Sequence, residues 1–305
     1  MAPPTSFTCL WCGAVHTPRS ADDLEGWARL CPDCLGRADE NAFIRFRLKQ
    51  ALETRGRAAA ANAEHAENAE NASPPSAVSE RALDAEMVRY YEARAREYDD
   101  WYLRRGRYEH GPVHDQAWAA ELDTAGRWLD ALPIGGDIVE LAAGTGWWSP
   151  LLAVKGTLSA YDAAGATLDV ARDRLLAHGL RAHLHVRDAW AEPERAADAL
   201  FTGFWLSHVG RDRLAAFFDL ARRWLRPGGM YAAIDSLPDP QSGAGDTVVA
   251  AGEIQVRRLA DGRTFRVRKV FHGVTDLEAA MREAGFADVQ VSTTGRFFLV
   301  LSGRA

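Results

Sequence analysis

Short apolar runs alternate with longer segments of mixed polarity from about residue 78 to the end of the sequence. Such runs, bounded by glycine and polar positions, are typical of buried strands, and the segments between them show helix-like spacing. This alternation predicts an α/β domain with a doubly wound, mostly parallel sheet. The predicted parallel strands cover residues 138–142, 157–161, 183–186, 200–205 and 230–234.

The last part of the chain departs from this alternation. The pair Asp261-Gly262 stands between two alternating runs, 253–260 and 263–270, and an Asp-Gly pair in that position is a strong hairpin signal. A helix and two more strands are expected after the hairpin, at 275–284, 289–292 and 297–301. The main sheet is therefore expected to have seven strands.

Composition divides the chain into three parts. Residues 1–57 hold all four cysteines and end in a helical pattern over 39–57. Residues 58–79 are poor in large apolar side chains and rich in alanine, which is typical of a linker. We predict a zinc-ribbon-like module with a helix at 1–57, a low-complexity linker at 58–79, and the α/β domain at 80–305.

The cysteines form two Cys-x-x-Cys pairs, Cys9 with Cys12 and Cys31 with Cys34. Their spacing is that of a zinc site, in which each pair wraps one side of a tetrahedral ion. Four thiolates close the coordination shell, so we expect the zinc to be structural. His16 replacing one ligand, a disulfide pair, and unrelated buried cysteines are the alternatives.

Charge limits the partners of this protein. The sequence has 36 Lys and Arg against 42 Asp and Glu, a formal charge of -6, which disfavours extensive nucleic-acid binding. The module at 1–57 is itself near neutral, although Arg45, Arg47 and Lys49 lie close together. No signal peptide and no apolar run of about 18 residues is visible, so we expect a cytoplasmic protein without membrane contact.

The most informative stretch is an apolar strand that runs into the turn Ala142-Ala-Gly144-Thr-Gly146. Glycine allows the backbone to turn sharply and to approach a ligand closely, and such turns bind nucleotide-like ligands at the edge of a doubly wound sheet. Glu140, at the end of the strand, would repel a pyrophosphate. It suits a ligand that carries an ammonium and a sulfonium.

Two further strands end in acids. Asp162 follows the second strand, where a carboxylate can accept hydrogen bonds from both hydroxyls of a ribose. Asp188 follows the third, where it can accept a hydrogen bond from an adenine amino group, and Trp190 offers a stacking surface.

With the turn Leu225-Arg-Pro-Gly-Gly229 before the fifth strand, these motifs resemble the class I S-adenosylmethionine-dependent methyltransferases across residues 80–305. The chain departs from the family at Ala142, which replaces the first glycine. The resemblance implies the cofactor S-adenosylmethionine and strand order 3-2-1-4-5-7-6 with the last strand antiparallel. Another nucleotide-binding protein of this fold and an inactive family member are the alternatives. The predicted cofactor residues are Tyr91, Tyr98, Glu140, Ala142, Gly144, Gly146, Asp162, Asp188, Ala189, Trp190 and Phe204.

An aromatic helix is expected before the sheet, over residues 87–102. Tyr91, Arg94 and Tyr98 can share one face, so that Tyr98 reaches the methionine carboxylate with Arg94 as its charge partner. A stripe that simply packs on the sheet is the alternative. Three residues of the following loop are candidates for an acceptor pocket: Tyr108, His110 and His114.

His208, just past the fourth strand, is the candidate catalytic residue. A histidine there can act as a general base with a pKa near working pH, or it can be a wall of the cofactor pocket. The strand lacks the Asn/Asp-Pro-Pro-Tyr/Phe motif of enzymes that methylate planar amino groups. We therefore expect a methyltransferase acting on a small molecule, with RNA or protein acceptors and a non-catalytic binding protein as alternatives. A homodimer joined by the N-terminal module is also considered.

Overall fold

The computed structural model of the protein describes residues 7–9, 12–18, 23, 25, 28, 30–37, 44, 48–49, 52, 80–239, 241–244, 248–249 and 253–305. The chain forms two compact units, Met1–Val78 and Ser79–Ala305. The predicted linker lies outside the described residues, as does most of the helix expected at 39–57.

The first unit is organised around its cysteines. Strands β1 (Phe7–Thr8) and β2 (Val15–His16) pair antiparallel, and helix α1 spans Pro32–Leu35. Cys9, Cys31 and Cys34 are buried together with the apolar side chains of Ala28, Leu30 and Ile44.

Three helices precede the sheet of the second unit. The element bounds are α2 Glu80–Arg94, α3 Asp99–Tyr102, α4 Pro112–Ala131, β3 Gly136–Leu141, α5 Ser149–Ala153, β4 Gly156–Asp162, α6 Gly165–Ala177, β5 His183–Val186, β6 Ala197–Gly203, α7 Leu214–Arg223, β7 Leu225–Ser236, β8 Val248–Val249, β9 Ile254–Arg258, β10 Thr264–Arg268, α8 Val274–Glu283, β11 Ala287–Thr293 and β12 Phe298–Arg304. Short 3-10 turns cover Gly106–Tyr108, Leu206–His208 and Arg211–Arg213.

The main sheet has seven strands in the order β11-β12-β7-β6-β3-β4-β5. Its central pairs are parallel, and β12 runs antiparallel to both β7 and β11. This is the predicted seven-stranded, doubly wound fold with the predicted strand order. Both faces are covered by helices, which explains why its strands appear in the sequence as continuous apolar runs.

Two strand ends differ from the prediction because the backbone turns there. β3 ends at Leu141 and β6 at Gly203, since Ala142 and Phe204 adopt positive φ angles of 52° and 58°. β7 begins earlier than predicted, at Leu225, because a register shift lets Leu225 pair with Ala197.

The predicted hairpin is present as β9 and β10, and β8 adds a third strand. Helix α2 packs on it, burying Met87 and Tyr90 against Leu259 and Val267. No helix in the described part of the chain is both long and apolar enough to cross a membrane.

Candidate functional site: two adjoining cavities at the sheet edge

The turn after β3 uses backbone conformations that favour glycine. Gly144 and Gly146 have φ angles of 56° and 70°, and Ala142 adopts 52° despite its Cβ, a conformation that costs a non-glycine residue about 1–2 kcal/mol. At Gly146 a Cβ would lie 2.7 Å from the Cβ of Ala171 on α6. The turn can therefore pack closely on α6 only with glycine at this position.

A cavity opens beside this turn, where β3, β4, β5 and β6 end. All the predicted cofactor residues line it except Glu140 and Gly146, and His208 lines it as well. The lining residues that were predicted are Tyr91, Tyr98, Ala142, Gly144, Asp162, Asp188, Ala189, Trp190 and Phe204. Its free volume is about 80 Å³. Ligand pockets usually have about 300–1,000 Å³, so the walls must separate to admit a ligand the size of a nucleoside.

Asp162, the last residue of β4, lines this cavity with its carboxylate fixed by two backbone hydrogen bonds. One carboxylate oxygen accepts the backbone N–H of Gly144 at 2.8 Å, and the other accepts that of Ala164 at 2.8 Å. Burial raises the pKa of Asp162, although these backbone hydrogen bonds oppose the shift. Each oxygen has a second lone pair for a ribose hydroxyl, so the residue fits its predicted role.

The loop after β5 forms one side of the cavity. Asp188 accepts the backbone N–H of Trp190 through one oxygen at 2.8 Å. The Trp190 ring carries the guanidinium of Arg213 at 3.9 Å from its centroid. A carboxylate next to an aromatic surface is the arrangement predicted for recognition of an adenine.

Glu140 does not face this cavity. Its side chain is 1% exposed and hydrogen-bonded to the Ser149 hydroxyl at 2.5 Å, in the first turn of α5. Burial raises the pKa of Glu140 to about 8. The carboxyl group is therefore largely protonated at neutral pH in the absence of a cationic ligand.

His208 lies in the wall between the first cavity and a second one, and its ring is fixed at both nitrogens. Nδ1 donates to the backbone oxygen of Arg268 at 2.6 Å, which leaves Nε2 to accept the Tyr91 hydroxyl at 2.7 Å. Burial is the main cause that lowers the pKa of His208 well below its ordinary value, and the charge of Lys269 adds to the shift. The expectation of a pKa near working pH is wrong, because the sequence shows neither the burial nor the neighbouring cations.

The second cavity has a free volume of about 570 Å³. It shares four walls with the first: Tyr91, Tyr98, Phe204 and His208. Tyr108 lines it as expected, but His110 and His114 do not. Instead His110 bonds to the backbone oxygen of Gly243 at 3.0 Å, and His114 to Asp115 at 3.1 Å.

Sequence reasoning missed three cations of this second cavity, the exposed Arg258 and two others. Arg257 lies on β9 and Lys269 directly follows β10, and both line the cavity together with Arg94 of α2. The hairpin itself was predicted. The position of the hairpin over the edge of the sheet depends on long-range contacts, which the sequence of the hairpin does not indicate.

In the N-terminal unit the four predicted ligands come together. The Sγ atoms of Cys9, Cys12, Cys31 and Cys34 all lie within 4.8 Å of one another, and those of Cys12 and Cys31 are 3.7 Å apart. Zinc–sulfur bonds of about 2.3 Å in a tetrahedron place the sulfurs about 3.8 Å apart, so the cluster fits a zinc ion. His16 is bonded to Glu25 at 2.6 Å rather than placed with the sulfurs.

Comparison with known proteins agrees with the fold of the second unit. A family described as "Methyltransferase domain" matches residues 138–229. The solved structure "DhpI-SAM-HEP complex" is 30% identical, covers 73% of this chain and 98% of its own, and has a TM-score of 0.58. For "DhpI-SAH complex structure" the identity is 29%, the coverage 74% and 98%, and the TM-score 0.57. The PH0226 protein from Pyrococcus horikoshii OT3, at 16% identity, 71% and 98% coverage and a TM-score of 0.51, shares the fold. No curated protein sequence matches.

The chain therefore belongs to the class I S-adenosylmethionine-dependent methyltransferases, and the protein is an enzyme of that class.

The protonation of Glu140 predicts a pH dependence of stability. The folded protein holds the proton of Glu140 with a pKa of about 8, above the ordinary value of the unfolded chain. The stability that this protonation contributes is therefore fully present below the ordinary pKa and is lost as the pH rises towards 8. Between pH 6 and pH 9 the wild type should lose about 2 kcal/mol more unfolding free energy than Glu140→Gln, which stays uncharged. Urea unfolding without cofactor measures this. The variant Glu278→Gln on helix α8 serves as the control. Parallel pH profiles of wild type and Glu140→Gln would contradict the assignment.

The hydrogen bonds of His208 predict a neutral ring with its proton on Nδ1. Nitrogen NMR of the histidine side chains, with His208→Asn for assignment, should show this tautomer and no titration of His208 between pH 5.5 and 8.5. A solvent-exposed histidine titrates near pH 6.5 and gives the comparison within the same spectrum. A midpoint near 6.5 for His208 would show that the ring is not held as described.

Proposed function

We propose that the protein transfers the methyl group of S-adenosylmethionine to a small-molecule acceptor. The observation that carries this proposal is the pair of adjoining cavities that share Tyr91, Tyr98, Phe204 and His208 as walls. The first has the acids expected to hold the nucleoside, and the second leaves room for an acceptor beside it. The 30% identical relative was solved as a complex with both SAM and HEP, which supports a second ligand beside the cofactor.

The residues proposed to hold the cofactor divide by the part that each binds. Asp162 receives the ribose hydroxyls, while Asp188 and Trp190 receive the adenine. Tyr98 lines both cavities and is therefore proposed to lie between the nucleoside and the acceptor. When bound, S-adenosylmethionine supplies a methyl group on a positively charged sulfur, and the chain's part is to orient the acceptor and to exclude water.

His208 stays our candidate general base, with a narrower role than the sequence suggests. Its Nε2 already accepts the Tyr91 hydroxyl, so a proton taken from an acceptor would have to pass through Tyr91. The lowered pKa of His208 makes the ring a weak base but keeps it neutral and ready to accept a hydrogen bond. We therefore propose that it also positions Tyr91.

For the N-terminal unit we propose a structural zinc ion bound by Cys9, Cys12, Cys31 and Cys34. The closeness of the four sulfurs supports this assignment. All four positions of a tetrahedral ion would be taken by protein, which leaves none for a substrate. A cytoplasmic, reducing environment, as we infer from the sequence, would keep these cysteines available to a metal.

The cofactor assignment predicts a loss of affinity in Asp162→Asn. Asparagine keeps the shape and one acceptor oxygen, but replaces the other oxygen by an amide that cannot accept the N–H of Gly144 or Ala164 and a ribose hydroxyl. Binding of S-adenosylhomocysteine, measured by calorimetry, should weaken about tenfold or more. The matched control Asp169→Asn, on the exposed surface of α6, should bind as the wild type does. Equal affinities of Asp162→Asn and wild type would remove Asp162 from the cofactor site.

The zinc assignment predicts about one zinc ion per chain in purified protein by metal analysis. Cys31→Ser should lose the metal and the protease resistance of the N-terminal unit, because the binding energy of a structural zinc is folding energy. Asp33→Asn, an exposed change in helix α1, which begins directly after Cys31, is the control and should retain both. Metal-free wild-type protein with a protease-resistant N-terminal unit would contradict the proposal.

A further inference from the structure

The second cavity is lined by four cationic residues, of which Arg258 is exposed and the other three come from different elements. Arg94 comes from the last turn of α2, Arg257 from β9, and Lys269 from the segment after β10. Arg94 is 4% exposed, so its charge is almost fully withdrawn from water. The first cavity is not lined by any of the three.

Within the described residues, no carboxylate forms an ion pair with Arg94, Arg257 or Lys269. The acid that lines the cavity, Asp239, is paired with Arg296 at 2.6 Å. Asp235 lies nearby and attracts Lys269, but its oxygens accept the backbone N–H groups of Ser207 and Ser236. Of these two acids, Asp239 is already paired with Arg296, which leaves Asp235 to offset the charges of Arg94, Arg257 and Lys269.

The contacts that hold these cations do not neutralise them. The guanidinium of Arg94 lies 4.6 Å from the Tyr98 ring centroid and 5.5 Å from that of Tyr108, and its Nε atom has no hydrogen-bond partner. Lys269 donates to the hydroxyls of Ser207 and Ser236 at 2.9 and 3.1 Å. Aromatic faces and hydroxyls stabilise a cation but leave its net charge in place.

The resulting positive field is visible in the groups that titrate. Burial, followed by repulsion from Arg257 and Arg94, lowers the pKa of Lys269 to about 8 against the attraction of Asp235. Burial, followed by repulsion from Lys269, Arg257 and Arg94, lowers the pKa of His208 as well. Withdrawing like charges from water without a counterion is costly, and an anion bound among them would offset that cost.

We propose that the acceptor carries an oxyanion group, which Arg94, Arg257 and Lys269 bind in the second cavity. This inference rests on the proposed function, since it names the acceptor class of the same site. Guanidinium groups bind carboxylates and tetrahedral oxyanions through paired N–H donors, and an ammonium adds a point charge. The serine hydroxyls beside Lys269 and the Tyr91 hydroxyl provide polar surroundings for the rest of the acceptor.

The cofactor's own carboxylate does not account for this cluster. The sequence suggests Arg94 as its charge partner, and one carboxylate near Tyr98 would offset one charge. Arg257 and Lys269 line only the second cavity, on the hairpin side. The test therefore uses these two residues, where the two explanations differ.

The experiment titrates inorganic sulfate and, separately, acetate into full-length protein saturated with S-adenosylhomocysteine, by calorimetry at constant ionic strength. Arg257→Met and Lys269→Met should each weaken binding of the preferred anion by about tenfold or more. Lys269→Arg, which keeps the charge, should restore most of the affinity. The matched control Arg263→Met, on the same hairpin but outside this cavity, should equal the wild type.

Thermal unfolding provides a second measurement that does not depend on calorimetry. The anion should raise the Tm of the wild type more than that of Arg257→Met or Lys269→Met, since each variant has lost part of the site. Preference for sulfate indicates phosphate- or sulfonate-like acceptors, and preference for acetate indicates carboxylates. Either preference supports an oxyanion acceptor.

Two results separate this inference from the proposed function. Normal S-adenosylhomocysteine binding with no saturable binding of either anion would overturn the inference alone, as would equal anion affinities in wild type, Arg257→Met and Lys269→Met. Failure of the wild type to bind S-adenosylhomocysteine would contradict the proposed function instead.

Discussion

The carboxylate of Asp162 connects two segments at the edge of the sheet where β3 and β4 end. It accepts the N–H of Gly144 in the turn after β3 and the N–H of Ala164 just before α6. These backbone donors lie next to a buried turn, where an unpaired N–H is costly. The turn after β3 and the segment before α6 are therefore both held by one side chain, which is also proposed to contact the cofactor.

The second cavity depends on a different set of contacts, those between α2 and the hairpin. Arg266 on β10 donates to the Glu86 carboxylate on α2 from Nε at 2.9 Å and from Nη2 at 2.7 Å, and Arg268 donates to Glu80 at 2.5 Å. These pairs, with the apolar contacts of Met87 and Val267, set the helix and the hairpin face to face. Arg94 of the helix and Arg257 of the hairpin consequently line the same cavity.

Burial at this junction changes the chemistry of its side chains. His208 is close enough to Tyr91 to share a hydrogen bond, and the same burial that fixes the pair lowers the pKa of the histidine. A neutral imidazole beside three cations is better suited to accept a hydrogen bond than to take up a proton. The site thus combines a rigid polar wall with a positive field, and both follow from how tightly the hairpin covers the sheet edge.

The sequence by itself determined the strands of the sheet, the turn at Gly144 and the acids that follow the strands, because each of these is encoded locally, whereas the strand order came from the resemblance to the family. A strand of continuous apolar residues must be buried on both faces, and an acid directly after it must lie at the sheet edge. Glu140 and His208 were placed at that same edge, but local pattern could not show that Glu140 faces Ser149 or that His208 is buried among cations. Arg257 and Lys269 had no local signal at all, since their partners come from other parts of the chain: Arg257 bonds to Tyr90 of α2, and Lys269 donates to Ser207 and Ser236. Only the tertiary structure decided those features, because burial and charge proximity arise from long-range packing and not from spacing along the chain.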